Sequence, residues 1–456
     1  MVRVVAGAIS RREQRFSPTQ VVVFSFAAII LTGALLLTLP VSARDGSWTD
    51  FLTALFTSTS AVCVTGLVVV DTATHYSTFG QAVILLLIQI GGLGWMTVAT
   101  MFALFLRRKI GFRQRVVMQE ALNQYTMEGV VRLAKGILLT TAVLEGIGFA
   151  ILALRFSLDF GIKRGLYYGL FHSVSAFNNA GFDVFGDVFG KFSSMTHYVA
   201  DPVVGFTVTS LVILGGIGFP VIGEVLKERR FSRFSLHTKL VLTVTAILIV
   251  VGTVLIMLFE WSNPKTLQPL STPAKVLSAY FQSVTPRTAG FNTLDIAGMR
   301  SPTQLLEVLL MFIGASPAGT GGGVKTSTFG VLVLAVWAMI RGRDEVDCWH
   351  RRIPWSQIYK ALCITFLAFS LVTGVTWVLL AMEKTDMLKT LFETVSAFGT
   401  VGLSMGLTPD LTGMGRILII LTMFAGRVGP LSLAMAIWQR QSKAVIRRPE
   451  DKVLLG

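Results

Sequence analysis

The residues with the clearest chemical use in this sequence lie in a short stretch that occurs four times. Each copy begins with an aromatic residue, continues with small hydroxyl residues and ends in a glycine followed by a bulky apolar residue. An unhindered glycine backbone can turn carbonyl groups toward a shared centre, and rings of carbonyl oxygens replace the water shell of a potassium ion. The stretch therefore predicts a path for a monovalent cation. The copies are Phe56 to Leu67, Phe171 to Phe182, Phe281 to Phe291 and Phe392 to Leu403.

The spacing of the copies indicates one unit written four times. Their glycines, called the ring glycines below, are Gly66, Gly181, Gly290 and Gly402, and they lie 115, 109 and 112 positions apart. A second glycine follows each of them after 25, 34, 24 and 24 positions. The longer second spacing predicts an external loop between Asp183 and Asp201. Small residues at the second glycines also let helices pack closely. The second glycines are Gly91, Gly215, Gly314 and Gly426.

Composition indicates the class of protein that holds these loops. The chain has 456 residues, 53% of them hydrophobic and only 14% charged, with a mean hydropathy of +0.67. A helix needs about 20 apolar residues to cross a hydrocarbon core of roughly 30 Å. The sequence therefore predicts an all-α integral membrane protein with eight transmembrane helices, the sixth and eighth interrupted. The apolar segments are Val21–Pro40, Gly80–Leu106, Gly136–Leu154, Pro202–Gly223, Leu240–Phe259, Leu305–Ile340, Ala361–Met382 and Arg416–Trp438.

Each repeated stretch falls between two of these segments. It is too short for a domain, so we expect it to enter the membrane from outside and to leave again. Irregular backbone at that depth must be enclosed by protein or line a water-filled path. The predicted architecture is four tandem helix, re-entrant loop, helix (M1-P-M2) units around a pseudo-fourfold pore. The units span residues 19–110, 134–235, 236–345 and 346–440, with an inner-surface connector at 111–133.

The charge distribution orients the chain. The net charge is +15, and 25 of the 40 Lys and Arg residues fall in five segments that share one side if the eight spans alternate. Lys and Arg stay on the cytoplasmic side, so both the N-terminus (1–18) and the tail (441–456) are expected inside. This pattern favours a lipid bilayer over nucleic acid as the partner. The segments are Arg3–Arg15, Arg107–Lys135, Lys227–Lys239, Arg341–Arg352 and Arg440–Lys452.

Taken with the four loops, the runs Gly314 to Thr328 (GASPAGTGGGVKTST) and Phe424 to Pro430 (FAGRVGP) resemble the Ktr/Trk/HKT superfamily of cation transporters, most of all the Ktr membrane (pore) subunits. The resemblance covers nearly the whole chain. It implies potassium uptake at the plasma membrane, often sodium-stimulated, by a homodimer in which each chain forms one pore. It also implies control by a cytoplasmic nucleotide-binding regulatory ring of the KtrA kind. We expect no covalent cofactor. Potassium is the expected ion in the path, sodium is an alternative occupant, and nucleotide is expected to act only through the partner.

By the resemblance, each loop contributes four residues whose backbone carbonyls bind potassium as a selectivity filter. The loops lack the TVGYG sequence of dedicated potassium channels, so selectivity should be looser. A sodium-selective or poorly selective transporter is the alternative, although Gly66 favours potassium. Arg287 is unusual in a cation path, and we expect it behind or above its loop, paired with an acid. The residues are Cys63, Val64, Thr65, Gly66, Asn178, Asn179, Ala180, Gly181, Arg287, Thr288, Ala289, Gly290, Gly399, Thr400, Val401 and Gly402.

The interruption of the sixth span predicts a second functional element. Residues 314–324 hold five glycines and a proline, which cost about 1 and 3 kcal/mol each in a helix interior, so the helix must break. At the equivalent depth of the fourth unit, burial of Arg427 costs on the order of 2.5–3.5 kcal/mol. Loop carbonyls and the hydroxyls of Ser316 and Thr320 could accept from its guanidinium. The resemblance implies a gate, the alternative being a packing kink. The gate residues are Gly314, Ala315, Ser316, Pro317, Ala318, Gly319, Thr320, Gly321, Gly322, Gly323, Lys325 and Arg427.

An enzyme is the competing class. GTGGGVKT resembles a phosphate-binding loop, but Val324 replaces the required second glycine and no strand precedes it. Five histidines and three scattered cysteines give no metal-ligand spacing, so we predict no enzyme.

Two sets of acidic residues remain to be interpreted. Asp71, Asp183, Asp187, Asp295 and Asp410 follow the loops and either concentrate cations or are ordinary solvated acids. Glu145, Glu224 and Glu307 lie in or at the ends of spans, where snorkelling at a helix end explains the last two but not Glu145.

Overall fold

A computed structural model of the chain describes residues 18–94, 97 and 130–437. The predicted tail and nearly all of the predicted N-terminus and inner connector lie outside the described residues. The described part is predominantly helical. In chain order its α-helices are α1 (Pro18–Thr38), α2 (Phe51–Val62), α3 (Thr72–His75), α4 (Thr78–Leu93), α5 (Val130–Phe160), α6 (Ile162–Phe177), α7 (Gly186–Phe189), α8 (Pro202–Gly216), α9 (Phe219–Glu228), α10 (Leu236–Glu260), α11 (Thr272–Val284), α12 (Ser301–Phe312), α13 (Thr326–Ile340), α14 (Trp355–Glu383), α15 (Met387–Gly399), α16 (Gly413–Val428) and α17 (Pro430–Ile437).

Four helices are long and apolar enough to cross a membrane as single spans: α1, α5, α10 and α14. Each is followed by a shorter, largely buried helix that ends at a repeated loop, and these four are called the loop helices: α2, α6, α11 and α15. Polar residues set where two of them begin. The side chain of Asp50 accepts from the Thr53 N–H and that of Asp386 from the Leu388 N–H, which satisfies amides at the helix N-termini.

Hydroxyl residues of the repeated stretch fasten three loop helices to the preceding spans. Ser58 donates to the carbonyl of Ile30 at 2.7 Å, Ser173 to that of Glu145 at 2.7 Å, and Ser283 to that of Ile249 at 2.8 Å. Glycines on the spans, Gly33, Gly148 and Gly252, face the same serines and leave room for them. The small residues of the repeat therefore hold each of these helices close to its span.

The apolar helix that follows a repeated loop ends or bends at a glycine in three places, whereas the sequence predicted interruptions only in the sixth and eighth spans. Helices α8 and α9 are bent by 99°, so the apolar segment Pro202–Gly223 is interrupted, which the sequence did not predict. Gly218 adopts a φ of 93°, and the N–H of Phe219 donates to the carbonyl of Ala318 at 3.2 Å. Gly94 and Gly429 end α4 and α16 with φ values of 76° and 92°. The bend between α8 and α9 lies where Pro317 and Ala318, from the predicted third unit, occupy the space beside Gly218.

A small β-hairpin corrects the prediction of an all-α chain. Strands β1 (Val346–Cys348) and β2 (Arg351–Ile353) pair antiparallel, with Val346 opposite Ile353. Both of these residues are buried in a cluster with Ala338 and Ile358. The two turn residues between the strands, Trp349 and His350, have φ values of 47° and 61°, as a tight two-residue hairpin turn requires. The sequence lacks the Asn-Gly or Asp-Gly signal of such a turn, and for that reason the hairpin was not predicted.

Candidate cation pathway

The four ring glycines meet around one centre, although more than 330 positions separate the first from the last. A side chain on each would overlap the backbone carbonyl oxygen of the next loop, and the contacts close into a ring. All four have positive φ, between 69° and 96°. Only glycine fits this close approach together with this conformation. The contacting pairs are Gly66 with Ala180, Gly181 with Ala289, Gly290 with Val401, and Gly402 with Thr65.

The backbone around each ring glycine follows one repeated conformation. The residue two positions earlier is left-handed in every loop: Val64, Asn179, Thr288 and Thr400 have φ values of 52°, 57°, 72° and 50°. This region is uncommon for non-glycine residues and unfavourable for β-branched ones. Strained backbone of this kind persists where the surroundings hold it, which is typical of functional sites. Four copies of one strained conformation give the ring its fourfold pattern.

A hydroxyl residue in each loop helix, or at the C-terminal cap of the helix in the third loop, supports this conformation. Ser60 accepts from the Gly66 N–H at 3.0 Å, and Ser396 accepts from the Gly402 N–H at 3.1 Å. The equivalent residues of the other loops donate instead: Ser175 bonds the Phe182 carbonyl at 2.7 Å and Thr285 bonds the Phe291 carbonyl at 2.5 Å. The hydroxyls in the repeat were visible in the sequence, but their partners were not. Each loop is thereby anchored to its own helix, either at the ring glycine or at the residue after it.

The first predicted filter position differs most among the loops. Cys63 is buried, and Gly399 packs against the Met311 carbonyl. Arg287 is only 4% exposed, and its Nε has no hydrogen-bond partner among the described residues. The predicted acid partner for Arg287 is wrong, because no ion pair in the described part of the chain includes it. Acids of the third unit are engaged elsewhere: Asp295 accepts from the Ala297 N–H and Glu307 from Gln282.

A cavity of about 290 Å³ opens directly above the ring. All four ring glycines line it, together with Asp71, Asp183 and Asp295. The other two acids singled out in the sequence do not line it, and Asp187 instead accepts from the Tyr168 hydroxyl at 3.2 Å. Three carboxyl groups above a ring of carbonyl oxygens favour a cation at the mouth of the ring.

The carboxyl group of Asp183 gives this cavity an expected pH dependence. Burial raises the pKa of Asp183 to about 7, the Phe185 N–H opposes the rise, and the Asp71 carboxylate adds to it. The cavity therefore gains a negative charge as external pH rises through about 7. We expect the half-saturation concentration for external rubidium uptake to fall roughly two- to threefold over this interval. Asp183→Asn should abolish the change and Asp187→Asn should retain it, whereas equal profiles in all three proteins would contradict the assignment.

Below the ring lies the segment 314–324, called the crossing loop. It contacts residues from several units at once. The N–H of Ser316 donates to the Gly216 carbonyl at 2.8 Å, and the N–H of Gly322 donates to Thr400 Oγ1 at 2.9 Å. Thr320 Oγ1 lies 3.2 Å from the Asn179 side chain, and a methyl group on Gly321 would overlap Thr288. The crossing loop therefore touches three of the four left-handed residues beneath the ring.

Arg427 ties the crossing loop to the first unit. Its guanidinium donates to the carbonyl oxygens of Thr320 and Gly91, and more distantly to that of Gly92 at 3.4 Å. The predicted loop-carbonyl partner is confirmed, but the predicted hydroxyl partners are wrong. Ser316 Oγ pairs with Thr326 Oγ1 at 2.7 Å, and the Thr320 hydroxyl is used by Asn179.

The Gly91 and Gly92 carbonyls can accept from Arg427 because α4 ends at Leu93, where the last carbonyls of a helix lack their usual partners; the Gly91 carbonyl also accepts from the Gly94 N–H at 3.3 Å. The glycine-rich end of the fourth helix was a signal that could have found this contact. Lys325, also predicted in this element, donates to the Gly321 carbonyl at 2.7 Å. The positively charged side chains of Arg427 and Lys325 thus both donate to carbonyl oxygens of the crossing loop.

The fold is that of a predominantly helical protein with several helices apolar enough to cross a membrane, and four of its loops meet in a ring of glycines and backbone carbonyls. The chain belongs to the TrkH family of cation transport proteins, whose sequence pattern it matches over residues 10–445. It is a transport protein and not an enzyme.

Relatives cover almost the entire chain. It is 46% identical over 443 residues to Ktr system potassium uptake protein B of Bacillus subtilis, covering 97% of each chain. Identity to the Vibrio alginolyticus protein of the same name is 42%, over 96% of this chain and 94% of that one. Identity to the potassium/sodium uptake protein NtpJ of Enterococcus hirae is 39%, over 98% and 99%. The solved potassium transporter TrkH from Vibrio parahaemolyticus shares the fold, with a TM-score of 0.73 at 16% identity, over 94% of this chain and 86% of that one.

Proposed function

We propose that this protein takes up potassium across the plasma membrane through the ring of four loops, which acts as its selectivity filter. The closed set of glycine–carbonyl contacts is the observation that carries the proposal. Backbone carbonyls arranged around one centre can replace the water shell of potassium, and the acids above the ring raise its local concentration. Relatives at 46% and 42% identity are named as potassium uptake proteins.

The proposed topology has eight spans in four M1-P-M2 units, with both termini in the cytoplasm. The long helices α1, α5, α10 and α14 supply the first span of each unit, and α4, α8, α12 with α13, and α16 supply the second. The basic segments of the chain favour this orientation. The loop helices then enter from the outer side and point their C-terminal, partly negative ends toward the ring, which favours a cation there.

The crossing loop is proposed as the gate of this path. It lies against Asn179, Thr288 and Thr400 beneath the ring, where it would obstruct a passing ion. The guanidinium of Arg427 and the ammonium of Lys325 hold its carbonyl oxygens. Opening requires those contacts to be exchanged for others.

Control of the gate is assigned to a separate cytoplasmic nucleotide-binding ring, and the membrane chain is assigned to a homodimer. Two relatives are named as components of a Ktr system. Nucleotide would act only through this cytoplasmic partner. Sodium stimulation is part of the proposal, and a sodium-selective or poorly selective transporter is the alternative, since a relative at 39% identity is named for both ions.

Ion flux through the purified chain in liposomes tests the proposal. We expect potassium and rubidium flux to exceed sodium flux at equal concentrations. Sodium flux equal to or greater than potassium flux would favour the alternative. Absence of any cation flux in a variant with residues 318–323 of the crossing loop deleted, which is expected to be open, would contradict a transport path through the ring.

A further inference from the structure

Glu307 in α12 and Gln282 in loop helix α11 form a buried polar pair. Both side chains are fully buried, and Gln282 Nε2 donates to Glu307 Oε1 at 2.8 Å. No Lys, Arg or His nitrogen forms an ion pair with Glu307 in the described part of the chain. Snorkelling, which the sequence suggested for Glu307, is wrong because the carboxyl group reaches no solvent. Its position needs another explanation.

The contact leaves one oxygen of each side chain without a partner. Glu307 Oε2 and Gln282 Oε1 are both buried and have no hydrogen-bond donor among the described residues. A buried acceptor without a donor is costly, and an uncompensated buried carboxylate is more so. One proton on Glu307 Oε2 would remove both costs. The neutral acid would then donate to Gln282 Oε1 while its other oxygen accepts from Gln282 Nε2, the contact that the structure shows.

Glu145 in α5 shows the opposite arrangement and serves as the comparison. Its Oε1 accepts from Asn178 Nδ2 at 2.8 Å and its Oε2 accepts from Gln89 Nε2 at 3.1 Å. Both oxygens therefore accept, as an ionised carboxylate does. Glu260 on α10 and Glu393 on α15, the other acids on the helices packed against α12, likewise accept at both oxygens. Among these four acids, Glu307 has the oxygen without a donor.

We propose that Glu307 is a positioning residue held as the neutral carboxylic acid, whose proton joins it to Gln282 and so fixes α11 against α12. Gln282 lies five positions before Arg287, the first predicted filter residue of the third loop, and Glu307 lies seven before Gly314, where the crossing loop begins. The pair therefore couples the third quarter of the ring to the crossing loop. Its consequence for transport rests on the proposed function, while the protonation itself does not.

Two matched substitutions separate an acid from a carboxylate. In Glu307→Gln the new amide donates to Gln282 Oε1 and accepts from Nε2, so rubidium uptake and the preference for potassium over sodium should stay within about twofold of wild type. In Glu145→Gln one carboxylate oxygen that accepts from Asn178 or Gln89 is replaced by an NH2 group, which cannot accept. The preference for potassium over sodium should therefore fall by about fivefold or more. An equal loss in both variants, or a Glu307→Gln protein that is no longer monodisperse, would overturn the proposal.

Infrared spectroscopy tests the proton without relying on transport. The reconstituted wild-type protein at neutral pH should show the C=O stretching band of a protonated carboxylic acid. This band should lose intensity in Glu307→Gln and keep it in Glu145→Gln. Identical spectra of wild type and Glu307→Gln in this region would show that Glu307 is ionised and would overturn the proposal even if every transport assignment held.

Discussion

Replacing any ring glycine with serine is expected to reduce the preference for potassium over sodium by at least about tenfold, equivalent to ~1.4 kcal/mol. A side chain at Gly66, Gly181, Gly290 or Gly402 would overlap the carbonyl oxygen of the neighbouring loop. The positive φ at each glycine adds strain of roughly 1–2 kcal/mol for any other residue. Both effects move the carbonyl oxygens that would coordinate the ion. Competitive rubidium uptake in the presence of sodium measures the change.

The control for this experiment is Gly374→Ser in α14. Nothing lies within 4 Å of a side-chain carbon built at Gly374, and its backbone is helical. We therefore expect wild-type preference and only a small effect on stability. Wild-type preference in all four ring variants would refute the assignment of these loops as the filter. Lost preference in the control would instead indicate a general effect of serine in this protein.

Arg427→Ala is expected to raise resting rubidium flux by about tenfold or more. The substitution removes the donors to Thr320 and Gly91, and hydrogen bonds to a charged group contribute about 1.5–3 kcal/mol each. A difference of about 1.4 kcal/mol already shifts a closed-to-open equilibrium tenfold. Deleting residues 318–323 removes the Thr320 and Gly321 contacts and should act in the same direction. Both variants should also depend less on the soluble partner.

Arg416→Ala is the matched control on the same helix. The Arg416 guanidinium donates to the carbonyls of Leu411 and Pro409 and to Thr53, away from the crossing loop. Its loss should leave resting flux unchanged. Flux at the wild-type level, with unchanged partner dependence, in both Arg427→Ala and the deletion variant would leave the crossing loop without a gating role.

Local sequence was enough for much of the architecture. The period of the repeat, the apolar segments and the glycines at the loop ends predicted a helical membrane chain whose four loops share a centre, because each of these signals resides in neighbouring residues. The break of the sixth span followed from the glycines and proline of 314–324 in the same way. Family membership agrees with the motifs that suggested it.

Contacts between residues that lie far apart in the sequence could not be predicted in this way. The bend at Gly218 lies where the crossing loop packs against it and where Ala318 accepts from the Phe219 N–H, and Arg427 reaches Gly91 across 336 positions because α4 ends there. The absent acid beside Arg287 and the proton inferred on Glu307 likewise depend on what surrounds each side chain. Sequence determined which groups this protein would have to bury, since hydropathy and backbone freedom are local properties. Only the tertiary structure decided which hydrogen-bond donor pairs with which acceptor, because buried donors and acceptors are brought together by packing between distant segments.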